Sequence, residues 1–97
     1  MFEARIGSDG VMWLSGEFDL AVGEDLPAKA VAAMDGQPEL VIDMSGLEFL
    51  DSSGIRALME TARLCDRVIV LRRPRRNVAK VIALTGIVGR LGIRLEE

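Results

Sequence analysis

The sequence contains no histidine and no tyrosine, and it has only two lysines, Lys29 and Lys80. Without histidine, neither a Ser-His-Asp triad nor a histidine-based metal or acid–base site can form. A Ser-Lys dyad stays formally open, although both lysines are distant in sequence from the central serines. The phosphate-binding pattern G-x-x-x-x-G-K-[ST] is absent as well. These absences predict a protein that is not an enzyme and that uses no metal or cofactor.

Cysteine and long apolar runs are scarce too. Cys65 is the only cysteine, so an internal disulfide is excluded, which fits a cytoplasmic protein. It falls on the apolar side of a predicted helix, where a buried, inert thiol is expected. No apolar run approaches the ~20 residues of a membrane span, and the N-terminus does not read as a signal peptide. The 97 residues therefore predict one domain, 1–97, without a membrane span.

The charges are divided unevenly along the chain. Residues 1–51 carry a formal charge of −9, and residues 52–97 carry +6. Such asymmetry can orient a charged partner if the two halves stay apart in the fold. If the halves interleave, the charges largely cancel.

The first elements form a predicted hairpin. Residues 2–6 alternate apolar with charged side chains, which is typical of a half-exposed strand. Residues 8–10 carry a turn signal, and residues 11–14 are apolar on both faces, which predicts a more central strand. Trp13 is expected in the core.

A helix is predicted over about residues 22–35, after the second strand ends at residues 16–19. Pro27 is tolerated only in a first helical turn, so the ordered start should lie no earlier than about Gly23. One helix face is expected to point inward, formed by Leu26, Ala30, Val31 and Met34.

The third strand is predicted over residues 40–44, followed by a loop at residues 45–48. Phe49 and Leu50 are expected to fill the core below the next turn. The remaining predicted elements are a helix at about 53–65, a strand at 67–71, a helix at 76–85 and a strand at 93–95. Residues Val78, Val81, Ile82 and Thr85 of the last helix are expected to point inward. Arg56 and Glu60 stand at i,i+4 spacing, which predicts a weak ion pair.

The order ββαβαβαβ, with right-handed crossovers between parallel strands, predicts an α/β domain with a mixed β-sheet packed with helices.

Residues 51–54, Asp-Ser-Ser-Gly, lie between the end of the third predicted strand and the start of the following helix. Serine and aspartate oxygens accept hydrogen bonds from the unpaired N–H groups of a first helical turn. A helix cap is therefore the plain interpretation of this stretch.

Residues 72–76 form a basic cluster that invites a nucleic-acid interpretation. The cluster has no interleaved aromatic residues, and the whole chain is acidic. A solvated loop before the last helix is favoured, and no nucleic-acid partner is expected.

The order of elements, residues 16–19 and the stretch 43–54 resemble a STAS domain, specifically the bacterial anti-sigma factor antagonists. The resemblance implies a cytoplasmic switch protein. When unphosphorylated, it binds an anti-sigma factor that is also an ATP-dependent serine kinase, of the histidine-kinase-like ATP-binding type. Phosphorylation of the first serine of the turn, here Ser52, releases it, and a phosphatase reverses the modification. Position by position, the docking surface would comprise Asp19, Asp51, Ser52, Ser53, Gly54 and Arg56.

Other functions stay open at this point. The sequence stops at its last predicted strand, and this short form also resembles the STAS subunit of bacterial lipid-transport ABC complexes. That subunit binds an ATPase, and phosphorylation is not its established switch. An enzyme using Ser52, or the carboxylates of Asp43 and Asp51, lacks an evident base. Because an edge strand is unpaired, a monomer or a weak dimer is expected.

Overall fold

A computed structural model describes residues 1–34 and 36–96 of the chain. Its five strands form one sheet, in which the spatial order of the strands follows the chain order. The first two strands are antiparallel, and every later neighbour is parallel. The strands are β1 (Glu3–Ile6), β2 (Met12–Glu17), β3 (Glu39–Phe49), β4 (Val68–Arg72) and β5 (Ile93–Glu96). The predicted mixed sheet is confirmed.

Helical segments occupy the three positions that the sequence predicts. They are α1 (Leu20–Gly23), α2 (Leu26–Ala33), α3 (Ser52–Cys65) and α4 (Arg76–Thr85). With α1 and α2 standing in the place of the first predicted helix, the order ββαβαβαβ is confirmed. Right-handed crossovers between strands in sequential order put the connecting helices on one face of the sheet. The core lies between that face and the helices.

The first predicted helix is broken rather than continuous. The break falls at residues 24–25, and Pro27 lies in the first turn of α2, where its missing N–H has no helical partner to lose. Asp35, the predicted last residue, lies outside the described residues. The inward face is formed by Leu26, Ala30 and Met34. Val31 was expected there too, but its side chain is 49 % exposed because it falls to one side of that i, i+4, i+8 stripe.

Strand β3 is longer than predicted, because residues 45–48 continue the strand instead of forming a loop. Their partner is β2, with Ser15 opposite Gly46 and Glu17 opposite Phe49. Two register irregularities occur in this part of the ladder, between Trp13 and Ser15 and between Gly16 and Glu17, and they allow Gly46 to remain within the strand. Cross-strand pairing therefore overrides the local turn signal.

Besides Val31, three expected core positions are wrong. Phe49 is 48 % exposed, whereas the next residue, Leu50, is buried as predicted. Thr85 is exposed at the end of α4. Trp13 is only partly buried, since it alternates with the inward-facing Met12 and Leu14 and lies on the face without helices.

The end of α4 follows the prediction. Gly86 adopts a left-handed conformation with φ 69°, which ends the helix, and Ile87 is 1 % exposed.

The two oppositely charged halves of the chain do not interleave within the sheet. The acidic half supplies β1, β2 and β3, and the basic half supplies β4 and β5. Because the strand order is sequential, the acidic half of the chain lies on one side of the sheet and the basic half on the other.

Candidate protein-docking site

Asp51 caps the N-terminus of α3. Its backbone is extended, and its Oδ1 accepts hydrogen bonds from the Gly54 N–H at 3.1 Å and from the Ser53 hydroxyl at 2.6 Å. These bonds, the one from Ser53 first, lower the pKa of Asp51. The carboxylate is therefore charged at neutral pH, and it stabilises the helix start.

The two serines of the turn differ in what holds them. Ser53 is half-buried, and its hydroxyl is engaged by Asp51. Ser52 is the first residue of α3, it is exposed, and its hydroxyl makes no hydrogen bond to the residues that the structure describes. Ser52 therefore has the more accessible hydroxyl of the two.

Gly54 lies beneath the turn, where it is buried against Leu50 and Phe18. A Cβ at this position would lie 2.2 Å from Leu50 Cδ1 and 3.1 Å from Phe18 Cγ. Only glycine lets the first turn of α3 approach the core this closely. Its contribution to the site is to seat the helix, since it exposes almost no surface of its own.

Arg56 and Glu60 do not form the expected ion pair. Glu60 instead pairs with Arg63, whose Nε lies 3.2 Å from Glu60 Oε2 and whose Nη2 contacts Oε1. Arg63, three residues after Glu60, therefore pairs with the carboxylate that Arg56, four residues before it, was expected to bind. Arg56 is exposed and has no ion-pair partner within residues 1–34 and 36–96.

Two shallow grooves run along the sides of α3. The groove toward α2, here the α2 groove, is lined by Gly23, Glu24, Pro27, Ser53, Arg56, Ala57 and Glu60. The groove on the other side, here the Leu91 groove, is lined by Ser52, Ile55, Arg56, Met59, Glu60, Arg63 and Leu91. Arg56 and Glu60 border both grooves, and Arg56 is the cation that the two grooves share.

Leu91 is an unusual residue at the rim of its groove. Its φ is 52°, in the left-handed region, and its side chain is 51 % exposed. A left-handed leucine is strained, because its Cβ crowds the carbonyl oxygen. Strained residues of this kind cluster at functional sites, which makes the rim of this groove a candidate contact surface.

Asp19 belongs to the same end of the sheet as the turn. Glu17, the last residue of β2, pairs with Phe49, and the Phe18 N–H donates to the Phe49 carbonyl at 3.0 Å. Asp19 follows directly, and its Oδ1 accepts from the Ala21 N–H at 2.9 Å. The fold thus brings Asp19 and the turn of residues 51–54, which are far apart in sequence, to adjacent strand ends.

The family model described as "Mlab, STAS domain" matches residues 1–95 of the chain. The protein belongs to the STAS domain family. A search of the curated proteins found no match.

Solved structures resemble the STAS domain over almost its whole length. The unphosphorylated anti-sigma factor antagonist SpoIIAA shares 22 % identity at a TM-score of 0.69, over 98 % of this chain and 87 % of its own. The phosphorylated form of SpoIIAA, described as a Bacillus cell fate determinant, gives 22 % identity and a TM-score of 0.63, covering 98 % and 90 %. An anti-sigma-factor antagonist domain protein from Planctomyces limnophilus gives 22 % and 0.61, covering 99 % and 90 %. At this identity the likeness shows a shared fold.

Asp43 lies apart from the turn, at the centre of a separate network. Its side chain is completely buried. Oδ1 accepts from the backbone N–H and the hydroxyl of Ser45, at 2.9 and 2.6 Å. Oδ2 accepts from Arg72 Nε at 2.9 Å and from Arg73 Nε and Nη2 at 3.1 and 2.5 Å. Burial raises the pKa of Asp43, but the bonds from Ser45, Arg73 and Arg72 outweigh it and hold the pKa far below its usual range.

Trp13 completes this network on the face of the sheet without helices. Its Cα partner across the sheet is Asp43, whose partner on the other side is Arg72. The guanidinium carbons of Arg72 and Arg73 lie 5.4 and 5.9 Å from the indole ring centre, close enough for cation–π attraction. Sequence reasoning missed this cluster, because its members are 29 or 30 residues apart in the chain.

Two further side chains between β4 and α4 or at the start of α4 are also directed toward β3. Arg75 Nε donates to the Ser45 carbonyl at 3.0 Å, and Asn77 Nδ2 donates to the Glu48 carbonyl at 2.8 Å. The pairing of β3 with β4 ends at Asp43 and Arg72. The carbonyls of Ser45 and Glu48 lie beyond this point in β3, and the side chains of Arg75 and Asn77 donate hydrogen bonds to them. This internal use weighs against a nucleic-acid role for the cluster.

The described part of the chain also bears on other functions. It brings no three acidic or cysteine side chains together in a way that could hold a metal ion. None of its helices is long and apolar enough to cross a membrane. Asp43 and Asp51, considered above as a catalytic pair, are each engaged by separate hydrogen-bond donors.

Proposed function

We propose that this STAS domain is an anti-sigma factor antagonist. It binds an anti-sigma factor that is also a serine kinase while Ser52 is unphosphorylated, and phosphorylation of Ser52 releases it. The proposal rests above all on Ser52 itself, an exposed and unengaged hydroxyl at the edge of the Leu91 groove, next to a serine whose hydroxyl is bonded to Asp51. The resemblance to SpoIIAA, solved in unphosphorylated and phosphorylated forms, supports it.

The switch needs no conformational change. A phosphate adds a charge of about −1.5 to −2, and a helix N-terminus tolerates an anion because of its free N–H groups. At an interface, one or two uncompensated interactions of ~1–3 kcal/mol each would weaken binding by roughly fivefold to more than ten-thousandfold. The fold should therefore survive a modification that breaks the complex.

The other residues have supporting roles in this proposal. Asp19, Asp51 and Arg56 surround the serine as exposed docking groups, and Ser53 with Gly54 fixes the turn. A phosphatase restores the binding form. The proposed location is the cytoplasm, where the kinase finds ATP.

Two variants of Ser52 test the proposal. Tagged Ser52→Ala is expected to capture the kinase partner from extracts of the native host, and Ser52→Glu is expected to lose it. Both should keep the wild-type unfolding midpoint. The matched control is Ser8→Glu, an exposed serine in the β1–β2 turn at the opposite end of the sheet, which should bind normally. Capture of the same kinase by Ser52→Glu would refute the switch.

A second candidate is an accessory subunit of an ABC-type lipid transporter. The name of the matching family model, "Mlab, STAS domain", favours it. In this role the domain binds an ATPase subunit in a complex that is indifferent to the charge at Ser52. Intact-mass analysis of protein from the native host, with fragmentation across residues 47–56, separates the two. A phosphate on Ser52 favours the antagonist, whereas an unmodified chain in a stable ATPase complex favours the transporter subunit.

A further inference from the structure

Ser52 and Arg56 stand one helical turn apart on the same face of α3. Four residues of α-helix rise about 6 Å, which brings side chains at i and i+4 together. Both residues border the Leu91 groove. The order, with the acceptor nearer the N-terminus and the cation nearer the C-terminus, is the favourable one for an ion pair in a helix.

Arg56 is available for such a pair. The carboxylate it could otherwise reach, Glu60, is held by Arg63. Arg63 also borders the Leu91 groove, but it lies eleven residues after Ser52, about 16 Å along the helix axis. Arg56 is thus the cation of this surface that can reach a group on Ser52.

The other charged groups around Ser52 are mostly negative. Asp51 precedes it and is charged, Glu60 borders the same Leu91 groove, and Glu24 lies at the neighbouring α2 groove. A dianion placed on Ser52 would meet repulsion from these carboxylates and attraction from Arg56 and from the N-terminus of α3.

We infer that Arg56 is the electrostatic counterpart of the switch: a phosphate on Ser52 pairs with Arg56 and withdraws its positive charge from the docking surface. Modification then acts twice, since it adds negative charge and also occupies the cation that borders both grooves. The inference deepens the proposed function and rests on it for the phosphate, and it assigns to Arg56 a role in regulation.

The test needs neither kinase nor partner. Phosphoserine is installed at position 52 by genetic encoding, and the second pKa of the phosphate is read from its ³¹P chemical shift. Arg56→Gln is expected to raise this pKa by about 0.3 pH units or more, the size expected from an i,i+4 ion pair. Arg56→Lys, which keeps the charge, should stay closer to wild type. Added salt should shrink the difference.

Lys80→Gln is the matched control, because it removes one positive charge from an exposed position on α4. It should leave the phosphate pKa unchanged. Equal pKa values in wild type and Arg56→Gln would overturn the inference, and so would an equal shift in Lys80→Gln. An absence of Ser52 phosphorylation in the host would instead contradict the proposed function, and the titration distinguishes these failures.

Discussion

Two strand-to-helix connections lie at the same end of the sheet, and they are built differently. Between β3 and α3, short polar side chains bond to groups within three residues, as Asp51 does to Gly54. Between β4 and α4, long side chains reach back 29 or 30 residues to β3, as Arg73 does to Asp43. The N-cap of α4, Arg75, makes no side-chain capping bond at all.

The difference separates an exposed surface from a structural connection. Local bonding leaves the Ser52 hydroxyl and the Arg56 guanidinium free at the surface. Long-range bonding engages Arg72, Arg73 and Arg75 of the second connection and ties β4 to β3. A basic cluster in a sequence can thus serve the scaffold, while an inconspicuous serine carries the exposed, unbonded hydroxyl.

The largest effect is expected for Asp43→Asn, which removes the anchor of the second connection. The variant leaves Arg72 and Arg73 without their carboxylate, and breaking a buried ion pair costs 3–5 kcal/mol. The two arginine side chains are 25 % and 53 % exposed, so the lower part of that range applies, roughly 3 kcal/mol. Urea unfolding measures it. Glu48→Gln, an exposed neutralisation on the same strand, is the control and should change little.

Acid should reduce this difference. The folded-state pKa of Asp43 is depressed, so its contribution to stability is fully present above the unfolded pKa of about 4. It is lost as pH falls from about 5 toward the folded value. The free energies of unfolding of wild type and Asp43→Asn should therefore converge in acid. A constant difference from pH 7 down to pH 3 would contradict the assignment.

A smaller effect is expected for Asp51→Ala at the first connection. Loss of a capping side chain costs about 1 kcal/mol, since only one helix terminus is affected. Asp51→Asn keeps a hydrogen-bond acceptor, so its free energy of unfolding should fall by only a few tenths of about 1 kcal/mol. If Asp51→Ala lowered the free energy of unfolding as much as Asp43→Asn does, the β3–α3 turn would be as important for stability as the β4–α4 connection. The proposed difference between the two connections would then be wrong.

The smallest effect is expected for Asn77→Ala. Its single exposed hydrogen bond to the Glu48 carbonyl should contribute about 0.5 kcal/mol, because water can replace the donor. Hydrogen exchange along residues 45–49 should increase more than elsewhere. Unchanged exchange there would show that this side chain does not protect the strand.

Local chemistry explains what the sequence could predict. The order of elements follows from periodicity, and the Asp51 cap and the Gly86 stop follow from residues that satisfy a helix end. The length of β3, the exposure of Phe49 and the Arg72–Asp43 pair depend on partners in other strands. Only the sheet register fixes those partners, and a single sequence does not specify it.

The sequential strand order has a consequence for how the chain folds. Every strand pairs with the strand before or after it in the chain, so no pairing must wait for distant ends to meet. Closing a long loop costs more entropy than closing a short one, and folding slows as contacts become less local. This sheet can therefore grow one strand–helix–strand unit at a time. Its Asp43 network forms only when β4 pairs with β3, because Arg72 and Arg73 come from the end of β4.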